Sequence, residues 1–118
     1  MDLSEGIRLF NDHDFFSAHD YFENIWNECD KNDKLFLQGL VQVSVGSYHI
    51  VCGNLNGAES QLKKAKSKLG NYLPKYLTID SSSLIDEIQT LITEIKFVKA
   101  KQKTEINLEL LPTIKQIY

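Results

Sequence analysis

DKLFLQGLVQVSVGSYHIVC, residues 33–52, is the stretch that decides the fold. Leu35, Phe36, Leu37, Leu40, Val41, Val43, Val45, Ile50 and Val51 carry apolar side chains nearly all round a helical wheel. A helix apolar on every side belongs at the centre of a helical protein. Asp33 stands where an N-cap is needed, and Gly53 with Asn54 ends the run, because glycine reaches the left-handed backbone of a helix stop without steric cost. Within this run Gln38, Gln42 and His49 recur at i, i+4 and i+11, on one face, with Gly46 leaving a gap between them.

Working outward, the spacing predicts a second helix over about 15–29 that places Phe15, Phe16, His19, Phe22, Glu23 and Trp26 on one face. A short helix precedes it, from Ser4 as N-cap to Asn11, with Ile7 and Phe10 turned inward. Beyond Gly53, the stripe Leu55, Ala58, Leu62, Ala65 and Leu69 marks a fourth helix, stopped by Gly70 and Pro74. Asp80 to Ser83 form a cap cluster, with Ser83 and Asp86 at capping-box spacing, ahead of a long helix carrying Leu84, Ile85, Ile88, Leu91, Ile92, Ile95 and Val98. Residues 106–118 alternate apolar residues around Pro112, and a tail this apolar is expected to pack on the bundle or across a dimer. Asp14-Phe-Phe-Ser-Ala18 and Asn54-Leu-Asn-Gly-Ala58 repeat weakly at a period of forty, in the manner of tetratricopeptide-like hairpins. The expected fold is all-α: one domain, residues 1–118, a compact bundle of about five helices built from two helical hairpins and a long C-terminal helix.

Composition narrows the class. No apolar run approaches the roughly 20 residues of a membrane helix, and MDLSEGIRLF lacks the basic and apolar regions of a signal peptide. Cys29 and Cys52 have no metal-knuckle spacing and suit free thiols, so a cytoplasmic protein is expected. Residues 1–59 hold ten Asp and Glu against three Lys and Arg, whereas residues 60–118 hold six against ten. Lys63, Lys64, Lys66 and Lys68, and again Lys96, Lys99, Lys101 and Lys103, fit the solvated face of amphipathic helices. No arginine or aromatic residue interleaves with them, so nucleic acid is not an expected partner, nor is a membrane.

The chemistry-bearing residues lie on the two central helices. His19 and Glu23, one turn apart, converge on a point that an antiparallel partner helix would face with Gln38 and Gln42, in a cavity walled by Phe15, Phe22 and Trp26. Buried polar groups must be paired, which leaves three readings. In the first, His19, Glu23 and His49 ligate zinc, iron or manganese, with Glu23 and His19 catalytic and Gln38, Gln42, Trp26 and Tyr48 binding a small molecule. In the second, the same groups form a satisfied network, with the Trp26 indole N–H donated to it, that pins the register of two helices. The third is a groove for another protein.

The runs FNDHDFFSAHDYFENIW (residues 10–26) and LQGLVQVSVGSYHIVCGNLNGA (residues 37–58) resemble the bacterial and archaeal family catalogued as domain of unknown function three hundred and nine. Its pattern of A-H-[DE]-x-x-E-x-x-W, then L-Q-G-L-x-Q, a later histidine and G-N-x-x-G-A is matched by Ala18, His19, Asp20, Glu23 and Trp26, by Leu37 to Gln42, by His49, and by Gly53, Asn54, Gly57 and Ala58. Tyr21-Phe22 depart from the aliphatic residues more often found there. The resemblance implies an all-helical bundle and a metal-dependent hydrolase. The competing expectation is a non-enzymatic, tetratricopeptide-like interaction module, as a monomer or a homodimer.

Overall fold

Apolar spacing of three and four runs unbroken through five segments, and each becomes a helix: α1 (Ser4–Asn11), α2 (Phe15–Glu28), α3 (Lys34–Val51), α4 (Leu55–Leu69) and α5 (Ser81–Lys99). The computed structural model describes residues 1–118. Asp14, Asn54 and Asp80 cap α2, α4 and α5, each side chain accepting from the backbone N–H three residues on. Three expected caps are displaced. Ser4 is already helical, and Asp2 accepts its N–H at 2.9 Å. Asp33 makes no cap because its carboxylate accepts the Tyr76 hydroxyl instead. Ser83 forms no capping box with Asp86; its N–H goes to Asp80 and its hydroxyl reaches Glu87.

Each helix packs antiparallel to the one before it, and cross-contacts fix the pairing. Phe16 of α2 meets Tyr48 of α3, whereas Trp26, at the other end of α2, lines a cleft with Gln38. Between α3 and α4, Gly39 lies against Leu69 and Gly46 against Leu62, so closely that a Cβ would sit 2.8 Å and 2.9 Å from the leucine Cγ atoms. These two glycines, seven residues apart on one face, let α3 and α4 approach closely. On the far side Lys99 pairs with Glu59 at 2.9 Å and Lys66 donates to Gln89, aligning α4 with α5.

The core is one cluster that includes Phe10, Phe15, Phe22, Phe36, Leu40, Leu62, Leu69, Leu91 and Ile95. Two features differ from the sequence expectation. The buried arc of α2 is Phe15, Ala18 and Phe22, because α2 is wedged between α1 and α3; Phe16, His19, Glu23 and Trp26 form the next ridge round, at the rim facing α3. Nor is α3 enclosed: Leu35, Tyr48 and Val51 are exposed, and Val41 and Val45 are only half-buried.

A two-stranded hairpin, β1 (Lys75–Tyr76) and β2 (Ile79–Asp80), precedes α5. The tail runs beside it: Asp80 N–H donates to Lys115 O at 2.8 Å and Ile117 N–H to Thr78 O. Leu111 and Ile114 are buried, Ile106 and Leu110 rest against the core, and Leu108 and Ile117 stay exposed. Asn11 clasps the tail with both ends of its amide, Nδ2 donating to Ile114 O at 3.0 Å and Oδ1 accepting from Ile114 N–H at 2.7 Å. Glu94, 4% exposed, takes the Lys103 ammonium at 2.6 Å and the Asn107 N–H at 3.2 Å, which anchors the chain leaving α5.

Candidate functional site

The polar residues singled out by spacing come together along the seam of α2 and α3, at the surface. On the α2 side, His19 Nε2 lies 2.9 Å from Glu23 Oε2, and its Nδ1 lies 3.3 Å from Asp20 Oδ1, with about half of the Glu23 side chain in solvent. Carboxylates thus flank both imidazole nitrogens. On the α3 side, Gln38, Val41, Gln42, Val45 and His49 are half-buried, and Tyr48 stands out from the helix, its ring 5.7 Å from that of Phe16.

Two clefts open along the seam. The first, of about 240 Å³, is lined by Phe15, Phe16, His19, Val45, Tyr48 and His49 and is almost wholly apolar apart from its two imidazoles. The second, of about 210 Å³, is lined by Glu23, Trp26, Gln38 and Val41. Lys34 reaches over this end, its ammonium 4.5 Å from the Trp26 ring centre and donating to the Trp26 carbonyl. Two polar atoms beneath the seam are buried with no partner, the Trp26 indole Nε1 and Gln42 Oε1. Spacing reasoning placed the tryptophan N–H in a satisfied network; here it is an unpaired donor. The single walled cavity expected for His19, Glu23, Gln38 and Gln42 is instead an open groove divided in two. Helix pairing was predicted correctly, but the inward turn of α2 falls one ridge away.

His19 and His49 share the first cleft, and Asn54 at 3.4 Å takes up His49 Nδ1. Glu23 lies in the second cleft. No three His, Cys, Asp or Glu side chains converge in an arrangement able to hold a metal ion, so no chemical step is routed through one. Contact with the Cys52 thiol pushes the Tyr48 phenol above its ordinary range. At the connection between α2 and α3 the Asp33 carboxylate, accepting the Tyr76 hydroxyl, pushes that phenol up to about 12. Phe16, Val41, Val45 and Lys34 contribute to the groove without having been singled out as functional; the trace of Val41 and Val45 in the sequence was the apolar character of α3 on nearly every side, whereas nothing in the sequence set Phe16 or Lys34 apart.

The profile of the family described as Domain of unknown function (DUF309) matches residues 3–61, half the chain. The chain belongs to that family. The DUF309 segment comprises α1, α2, α3 and the first half of α4, and so contains every residue of the groove, whereas α5, the hairpin and the tail lie outside it. No curated protein matches the chain significantly. No helix is long and apolar enough to cross a membrane.

Proposed function

We propose that the α2–α3 groove of this DUF309 protein docks a helical segment of another protein, which makes the chain a non-enzymatic interaction module. The observation that carries this reading is the exposed aromatic pair, Phe16 and Tyr48, at the apolar cleft between α2 and α3. Phe16 is 54% exposed and Tyr48 39%, their rings 5.7 Å apart at the cleft they share with Phe15 and Val45. Large apolar side chains scattered singly need no explanation, but an exposed aromatic pair in contact at the mouth of an apolar cleft marks a surface that is covered in use. A photo-reactive phenylalanine in place of Tyr48, introduced in the host cell, should capture a discrete protein adduct that Phe16→Ser abolishes. Capture that is unchanged by Phe16→Ser, or equal from Lys64 on the far helix, would remove the reading.

A second reading, hydrolysis of a small molecule, draws on the imidazoles of His19 and His49 in one cleft, with Glu23 and Asp20 beside His19. A histidine oriented by a carboxylate is the usual element of general acid–base chemistry. Its test is loss of p-nitrophenyl ester turnover on His19→Ala at unchanged fold, together with metal analysis of protein purified without chelator.

A further inference from the structure

The groove has a length and a charge, and together they describe its occupant. Its two clefts are offset by seven residues on each wall: Phe16 and His19 against Glu23 and Trp26 on α2, Val45 and Tyr48 against Gln38 and Val41 on α3. Seven residues rise about 10.5 Å along a helix, so a helix lying in the seam brings side chains i and i+7 to the two clefts in turn. Between them on α3 stands Gln42, whose buried Oε1 lacks a donor. The charge is one-sided. Residues 12–52, which build α2, α3 and the turns beside them, hold seven Asp and Glu and two Lys. Of those lysines, Lys34 is committed to Trp26. Asp20 and Glu23, at the lip of the groove, have only His19 for a partner. A second copy presenting this same face would set carboxylates against carboxylates, which opposes self-association here.

Resting on the docking reading above, we propose that the occupant is a basic amphipathic helix of another protein, which seats apolar side chains seven residues apart in the two clefts and sets lysine or arginine beside Asp20 and Glu23. Trp26, the only tryptophan, sits in the second cleft and reports occupancy directly. The probes are two tryptophan-free 18-residue helical peptides with identical leucine positions, one with lysine and one with glutamate at the polar positions. The lysine peptide should shift Trp26 emission and bind. Its affinity should fall roughly tenfold with Asp20→Asn and Glu23→Gln combined, which is about 0.7 kcal/mol for each of two rim pairs. Phe16→Ser or Tyr48→Ser, both at exposed positions, should abolish it while leaving the helical circular dichroism intact. Equal binding of both peptides, lost with Phe16→Ser, would keep the docking groove and overturn its basic occupant. Binding of the lysine peptide that survives Phe16→Ser is general charge attraction and also overturns the proposal, as does failure of both peptides to bind; the photo-capture experiment then decides the docking reading by itself. A dimer in sedimentation that Phe16→Ser dissolves would make the occupant a second copy.

Discussion

Gly46→Ala measures how closely α3 and α4 are held, and its outcome follows from two opposed effects. Alanine in a helix interior is favoured over glycine by about 0.5–1 kcal/mol, because glycine has more backbone freedom to lose on folding. Against this, the new methyl would lie 2.9 Å from Leu62 Cγ and Cδ2 and 3.3 Å from the Leu62 backbone nitrogen. Leu62 is fully buried and has no space to swing into, and a backbone atom yields only if the helices part. Overpacking of this kind costs about 1–3 kcal/mol, so the net effect is a loss of about 1–2 kcal/mol, or roughly 3–10 °C in Tm for a chain of this size. Gly39→Ala should cost less, since its close neighbours are the Leu69 side-chain atoms with no backbone among them, and Gly70→Ala, with nothing within 4 Å, should be neutral or stabilising. Urea unfolding of the three variants at equal m-value gives the ranking. Should Gly46→Ala match Gly70→Ala, the α3–α4 distance is not set by these glycines and the account of that interface is wrong.

The Lys103 ammonium and the Asn107 N–H hold the Glu94 carboxyl below its ordinary value of 4.5, so its stabilising contribution is present above that value and lost as pH falls through the lowered one. Glu94→Gln should therefore destabilise at neutral pH and converge on the wild type in acid, as thermal melts across pH will record. Asn11→Ala removes both hydrogen bonds to Ile114 and should cost about 1–3 kcal/mol by urea titration; an unchanged midpoint would mean the clasp contributes nothing. Glu23→Ala should cost under about 1 kcal/mol, since the pair with His19 is half in solvent; a loss of 3 kcal/mol would show a buried network instead. Removing residues 105–118 uncovers the core beneath Leu111 and Ile114 and should raise binding of an apolar dye such as ANS.

Helix positions were legible because apolar periodicity and stop residues agreed: Gly53 with φ +79° closes α3, and Asn54 caps α4. The hairpin before α5 was not, because Leu77 and Thr78 take positive φ at its turn, where asparagine or glycine would have announced it. Caps failed where a side chain had a stronger distant partner, as Asp33 has in Tyr76, forty-three residues on. For the groove, i, i+4 spacing identified His19, Glu23, Gln38 and Gln42, yet hydrophobicity alone made their ridge look buried. Whether a ridge faces in or out depends on where α1 and α3 sit around α2, and no local pattern carries that. Glu94 was invisible for the converse reason: its partners Lys103 and Asn107 lie past the end of the helix that bears it.

The clasp between Asn11 and Ile114 joins groups 103 residues apart, and this imposes an order on biosynthesis. On the ribosome α1, α2 and α3 emerge before the tail and can pair in turn, since each contacts its predecessor. The edge of α1, however, lacks the clasp until residue 114 has cleared the exit tunnel, so the helices made earlier wait on the tail to be closed along that edge. Chains cut short of residue 114 would lack this cover and remain open to proteolysis along α1.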